Sequence, residues 1–213
     1  MALKDIEIRI LGCLIEKERT TPDQYPLTTN SLVLACNQKT NRDPVTDYSP
    51  VDIEHALQNL RDKRYVVTVQ AMNERAKKHQ HKMMQMFDLN NKSLAILAVL
   101  MLRGKQTPGE LRQRTERYTH FQDIGEIDRT LAQLESMQPP MVQNYGRGPG
   151  QSQDRWGQLL GGNEEKQRPR VRAIPSEKNN EFEALKEEVA LLRLQLNYVL
   201  EHLNLDLNDP DED

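Results

Sequence analysis

The sequence predicts a mainly helical α+β protein in which one helix-and-ribbon plan occurs twice and a separate helix follows. Residues 49–88 read as a helix followed by two strand-like runs with a basic tip between them. Residues 91–160 repeat helical patterns and a ribbon, and residues 182–203 carry heptad spacing. A helix that feeds a two-stranded ribbon is the second half of a winged helix. We therefore predict two tandem winged-helix domains followed by a C-terminal coiled-coil helix.

The first predicted domain covers residues 1–90. Its first helix, over residues 5–19, has charged residues on one side and an apolar face on the other. Residues 20–26 hold two prolines and are expected to form a loop, after which residues 27–28 start a second helix with apolar residues 32–35. Residues 37–48 are polar and are predicted to form an ordered loop. The apolar face of the first helix consists of Ile6, Ile10, Leu11, Cys13 and Leu14.

The third helix and the ribbon complete this domain. Ser49 is a suitable N-cap, Pro50 suits the first helical position, and Asp52 suits the positive end of the helix. Residues 65–69 are rich in β-branched side chains and predict one strand, and residues 82–87 predict the second. Residues 71–82 then form the wing. The apolar face of this helix is predicted to contain Val51, Ile53, Ala56, Leu57 and Leu60.

The second predicted domain covers residues 91–162. Its first helix repeats the apolar pattern of the first domain and ends at Gly104. Thr107 and Glu110 form one capping box, and Asp123 and Glu126 form another, so two more helices are expected. Residues 141–145 and 154–160 predict a second ribbon with a glycine-rich tip. Trp156 is expected to pack this ribbon onto the helices, although it is also placed to stack on a base.

The C-terminal part is predicted to contain a linker (163–176), a helix (177–204) and an acidic disordered tail (205–213). A strict period of 3.5 residues favours a coiled coil, and hence a homodimer or a helical protein partner. The alternative is that the helix packs back on the body. The predicted dimerisation seam consists of Phe182, Leu185, Val189, Leu192, Leu196, Val199 and Leu203.

Composition limits the possible classes of protein. The net charge is -3, and 29 basic residues face 32 acidic ones, five of which lie after residue 204, so any basic patch must be local. No window approaches the roughly 20 apolar residues of a membrane span, and the acidic N-terminus does not resemble a signal peptide. Cys13 and Cys36 lie among apolar neighbours and are expected to be reduced core thiols. We therefore expect a cytoplasmic protein.

Three runs of residues closely resemble the bacterial YceH family: EIRILGCLIEKERTTPDQYPLTTNSLVLACNQKTNRDPV, LRGKQTPGELRQRTERYTHF and GPGQSQDRWGQLLGG. The resemblance covers roughly residues 3–162. It implies a tandem winged-helix protein of the bacterial cytoplasm and no established biochemical activity. The sequence departs from the family pattern at residues 144–146 in the second wing, and at His79, where a tyrosine is expected.

The leading functional hypothesis is binding of duplex DNA, because winged helices place the third helix in the major groove and the wing on phosphates or in the minor groove. The wing is locally basic, although the third helix also carries acidic residues. Gln58 and Asn59 are suited to reading adenine edges. The candidate nucleic-acid-binding residues are Lys39, Arg42, Gln58, Asn59, Arg75, Lys77, Lys78, His81, Lys82, Arg147 and Arg155.

Two other classes of function remain open at this point. Acidic third helices suit a protein-interaction adaptor better than a DNA reader, and the heptad helix would recruit its partner. For an enzyme, His79 and His81 place two imidazoles on one side of a strand, but no cysteine or aspartate completes a metal site nearby. The sequence also lacks a grouping of nucleophile and base. We therefore expect no catalytic residue, no metal and no cofactor.

Overall fold

The computed structural model describes residues 2–70, 76–148, 150 and 152–161, and Met1–Glu164 form one compact unit. The fold is α+β and mainly helical, as predicted. Arg75, the linker, the heptad helix and the acidic tail lie outside the described residues, so the seam predicted from Phe182 to Leu203 stays a prediction.

The first half of the unit combines helices with a small antiparallel sheet. The sheet has the strand order β1-β3-β2, with Leu27 opposite His79 and Val66 opposite His81. A short 3-10 turn at Pro22–Gln24 precedes the first strand. The elements are α1 (Asp5–Thr20), β1 (Leu27–Thr28), α2 (Thr29–Cys36), α3 (Pro50–Asp62), β2 (Val66–Val69), β3 (Lys78–His81) and α4 (Met83–Phe87).

The second half has a similar order of elements. Its two strands pair in antiparallel fashion, with Val142 opposite Gln158. Gln106 forms an isolated bridge with Trp156, so the residues before the second helix pair with the ribbon in this half too, as β1 does in the first. The elements are α5 (Asn91–Arg103), α6 (Pro108–Thr115), α7 (Ile124–Glu135), β4 (Val142–Asn144) and β5 (Trp156–Gln158).

The helix starts follow the capping residues. The Ser49 side chain accepts a hydrogen bond from the Asp52 backbone N–H, and Pro50 is the first residue of α3, as predicted. Thr107 and Glu110 form the predicted capping box of α6. Asp123 caps α7 by accepting from the backbone N–H of Glu126. These side chains satisfy backbone donors that the first turn of a helix leaves unpaired.

Two predictions of secondary structure in the first half were wrong. The strand predicted at 82–87 is instead β3, at Lys78–His81, and the methionine-rich run behind it forms the short helix α4. Leu27–Thr28 is strand β1 rather than the start of a helix, because it pairs with β3. A short apolar run does not by itself distinguish a strand from a helix. For Leu27–Thr28, pairing with the distant strand β3 decided the outcome.

Two predicted apolar positions are exposed. Leu34 in α2 is 74% exposed, and Val51 in α3 is 63% exposed. The buried face of α3 consists of Ile53, Ala56, Leu57 and Leu60, in agreement with the rest of the prediction. Val51 is the second residue of α3, and the first buried residue of this helix is Ile53.

Helices α1 and α5 form the centre of the described core. Glu7–Glu16 of α1 and Ser93–Leu102 of α5 are buried without interruption. Gly12 permits their close approach, because a Cβ atom there would lie 2.9 Å from Cγ of Leu102. The two halves therefore share one hydrophobic core. Three charged residues of α1, namely Glu7, Arg9 and Glu16, are buried as well, whereas Asp5 is exposed.

Cys13 and Cys36 belong to this core. Both thiols are buried and neither forms a disulfide, which agrees with their predicted role as core residues. Among the helices that the structure describes, none has the length and apolar character needed to cross a membrane.

We predict that Gly12→Val lowers the free energy of unfolding by about 2–3 kcal/mol, because the new side chain must push α1 away from Leu102 and Met101. Urea denaturation of the full chain measures this change. The matched control is Gly109→Ala in α6, where the nearest atom to an added Cβ lies 3.9 Å away. The control should change stability by less than about 1 kcal/mol. Equal effects for the two variants would contradict the close packing of α1 on α5.

Candidate nucleic-acid interface

The predicted basic residues of the first wing lie in different environments. Lys77 is exposed, and Lys78 follows it in β3, where it is opposite Val69 at the distal end of the ribbon. Lys82 is half-buried where β3 passes into α4. Lys39 is exposed in the loop after α2. The described part of the wing thus presents Lys77 beside Lys78 at its tip.

Arg42 does not lie on this surface. Its side chain is completely buried, and its Nη2 atom lies 2.5 Å from Oε2 of Glu16, whose side chain is 1% exposed. Arg42 also donates to the Gln38 side chain at 2.8 Å and to the Ala35 carbonyl at 3.1 Å. The placement of Arg42 among the phosphate contacts therefore needs correction. It forms an internal ion pair that fastens the loop after α2 to α1.

Glu16 also joins the two halves. Its carboxylate accepts a hydrogen bond from the Tyr118 hydroxyl at 3.1 Å and lies 3.7 Å from Nη2 of Arg117, both in the second half. Burial alone would raise the pKa of Glu16, but the hydrogen bonds and charge of Arg42 outweigh it, and the pKa lies below its usual value. Glu16 is therefore held as a carboxylate inside the protein.

The loop between α2 and α3 is ordered, as predicted. Arg9 donates to the Pro44 carbonyl at 2.6 Å, and Thr46 donates to the Cys36 carbonyl at 3.1 Å. The Asn37 side chain closes the loop by accepting from the backbone N–H of Tyr48 at 2.8 Å and donating to its carbonyl at 2.9 Å. These bonds fix the position from which α3 begins.

His81 is buried too. Its Nε2 atom lies 3.1 Å from the carboxylate of Glu18, its backbone N–H donates to the Tyr25 hydroxyl, and its Nδ1 atom accepts from the backbone N–H of Met83. His79 lies between Thr29 and Thr68, each at 3.2 Å, and burial lowers its pKa. The placement of His81 among the phosphate contacts therefore also needs correction. Both imidazoles hold the sheet on the helices.

The exposed side of α3 is occupied by internal polar contacts. The Gln58 amide donates to Asp62 at 2.8 Å and accepts from Arg61 at 2.7 Å, and Arg61 pairs with Glu54 at 3.2 Å. Asn59 is half-buried. Reading a base edge would require Gln58 to exchange these partners, while the nearby carboxylates repel phosphates.

The basic residues of the second ribbon have acidic partners. Arg147 pairs with Asp154 at 3.1 Å on the surface. Arg155 donates to Glu110 and to the Lys105 carbonyl, each at 3.0 Å. Trp156 packs against the core, as predicted.

The sequence analysis missed a group of arginines around an open cavity of about 610 Å³. Arg103 ends α5, Arg114 lies in α6, and Arg117 follows it three residues later. The available signal was the spacing of Arg114 and Arg117, which suits one face of a helix. Only the tertiary fold brings Arg103 beside them. The residues that line the cavity are Asn41, Arg103, Gln113, Arg114, Glu116 and Arg117.

The described residues define an α+β protein of two similarly ordered halves, with basic side chains at one ribbon tip and around one cavity. A family model described as a protein of unknown function, DUF480, matches residues 3–151. The chain belongs to the DUF480 family.

We predict that Glu16→Gln lowers the free energy of unfolding by about 3–5 kcal/mol at pH 7, because it leaves the buried Arg42 without its counter-charge. Urea denaturation measures the loss. The matched control is Arg147→Gln, which breaks the exposed pair with Asp154 and should cost less than about 1 kcal/mol.

The same pair predicts a dependence on pH. Since the pKa of Glu16 is lower in the folded chain, its stabilisation is complete above its usual pKa of 4.5 and is lost as the pH falls. The difference between wild type and Glu16→Gln should therefore shrink below about pH 4.5. A constant difference down to pH 3 would show that Glu16 is not held as a carboxylate.

Proposed function

We propose that each half is a winged helix and that the protein binds duplex DNA through the ribbon of its first half. The order α1-β1-α2-α3-β2-β3 and the sheet order β1-β3-β2 support this assignment. The bridge between Gln106 and Trp156 supports a second copy of the plan. The resemblance to YceH proteins is consistent with the same fold.

The observation that carries the proposal is the basic tip of the β2–β3 ribbon. Lys77 is exposed, and Lys78 begins strand β3. These two lysines lie at one end of the ribbon, and His81 lies at the other end. Lys39 adds an exposed charge on the loop that leads to α3. Lysines on a protruding ribbon can neutralise DNA phosphates and release counterions.

The polar contacts of α3 indicate how strongly binding would depend on the DNA sequence. Gln58 is bonded to Asp62 and Arg61 within α3, and the helix also carries Asp52 and Glu54. We therefore propose that the lysines contact the DNA backbone and that α3 reads few bases. Contacts to phosphates position a protein on DNA but carry no sequence information. The proposed activity is therefore binding with weak sequence preference, without catalysis.

A second function has its own support. Leu34 in α2, Val45 in the loop after it and Val51 in the first turn of α3 are large apolar side chains that remain exposed. The exposed side of α3 carries acidic residues. This surface favours an adaptor that binds another protein. The predicted heptad helix would then recruit or dimerise.

We predict that Lys39→Ala and Lys77→Ala each weaken binding to mixed-sequence duplex DNA and reduce the slope of log K against log salt by about 0.9. Both lysines are exposed. Because contacts to phosphates carry no sequence information, the loss should be similar for all sequences. Fluorescence anisotropy of the full chain with a labelled duplex, at several salt concentrations, measures the slope.

The matched control is Lys4→Ala. Lys4 is exposed just before α1, whereas the wing strand contacts the other end of that helix through His81 and Glu18. The control should leave the slope unchanged.

No binding by wild type at low salt would reject DNA binding. Capture of a partner protein that is lost in Leu34→Ser would then support the adaptor.

A further inference from the structure

The cavity between the two halves has an excess of positive charge. Three of its six lining residues are arginines and one is a glutamate, so the lining carries a net charge of +2. Asn41 comes from the first half, and the other lining residues come from the second. Because both halves belong to one core, the backbone segments that carry these side chains are held beside one another.

The neighbouring acidic groups are already engaged. Glu110 lies 3.6 Å from Arg114 and also pairs with Arg155 at 3.0 Å. Glu116 bonds to the imidazole of His120 at 2.8 Å. Glu16 lies in the interior, where Arg42 is its closest partner, and it also lies 3.7 Å from Nη2 of Arg117. The surrounding carboxylates are therefore shared among more cations than they can neutralise.

Arg103 is the lining arginine for which this shortage of carboxylate partners is clearest. Its guanidinium donates to the side chain of Asn41, a neutral partner. Burial lowers the pKa of Arg103, and the charges of Arg114, Arg117 and Arg42 lower it further. Like charges held close together destabilise one another, and a bound anion would remove that repulsion.

We propose that Arg103, Arg114 and Arg117 form a binding site for a small molecule that carries a phosphate group. A phosphate dianion matches the net charge of the lining, and arginine presents paired donors that suit phosphate oxygens. Asn41 and Gln113 supply neutral hydrogen-bonding groups beside the arginines. The open cleft, of about 610 Å³, has room for more than a phosphate group.

This site is distinct from the proposed DNA contacts. Those contacts lie on the ribbon and loop of the first half, at Lys77 and Lys39, and neither residue lines the cavity. A ligand here would contact both halves at their junction. It would therefore stabilise the unit without covering the ribbon tip.

The test is isothermal titration calorimetry of the full chain with sodium pyrophosphate, at an ionic strength held constant with sodium chloride. Wild type should bind with a dissociation constant below about 1 mM. Arg103→Gln and Arg114→Gln should each weaken binding at least about tenfold, since each removes a charged donor. Arg112→Gln is the matched control, because Arg112 is exposed on the same helix and donates to the Gln122 carbonyl instead.

Glu116→Gln provides a test that a misfolded variant cannot imitate. It removes the one negative charge of the lining and should tighten pyrophosphate binding several-fold. Absence of heat from wild type, or equal binding by Arg114→Gln and Arg112→Gln, would overturn the proposal. If Arg114→Gln instead reduces the salt slope of DNA binding while pyrophosphate fails to bind, the arginines are DNA contacts and the small-molecule site is rejected.

Discussion

The carboxylate of Glu16 is the contact on which the described fold depends. It lies in α1 and is bound by Arg42 from the loop of the first half and by Tyr118 from the second half. In the low-dielectric interior, a charge without these partners would be costly. Glu16 therefore requires the loop and both halves to be in place together.

This arrangement has consequences for function. Because α1 and α5 are buried along most of their length, the two halves form one core rather than two separate cores. The ribbon tip of the first half and the arginine cavity are then fixed by the same packing. A ligand in the cavity would contact both halves at their junction, whereas DNA at the ribbon would contact only the first half. The two proposals can thus be tested independently on one protein.

Local signals in the sequence predicted the helices well. Ser49, Thr107 and Asp123 cap helices where their spacing indicated, because capping depends only on neighbouring residues. The apolar face of α3 also followed from periodicity, apart from Val51. The short segments around β1 and α4 were predicted incorrectly. Strand β1 depends on pairing with β3, far away in the chain. The short apolar run of α4 does not by itself distinguish a helix from a strand.

The candidate site was harder to predict for the same reason. A basic residue in a polar loop has the same local sequence whether it meets solvent or an internal carboxylate. Arg42 meets Glu16, which lies 26 residues earlier in the chain. Arg103 joins Arg114 and Arg117 only after α5 and α6 have packed. Lys77 was placed on the surface correctly because ribbon tips are exposed in any such fold.

The central claim is that the two halves of the described unit unfold together. Native-state hydrogen exchange of the full chain in increasing urea tests it most directly, by comparing backbone amides of α1 and α5. The account predicts that the most protected amides of both helices exchange through one opening with the same free energy and the same dependence on urea. Exchange of either helix through a separate opening of distinctly lower free energy would contradict a shared core.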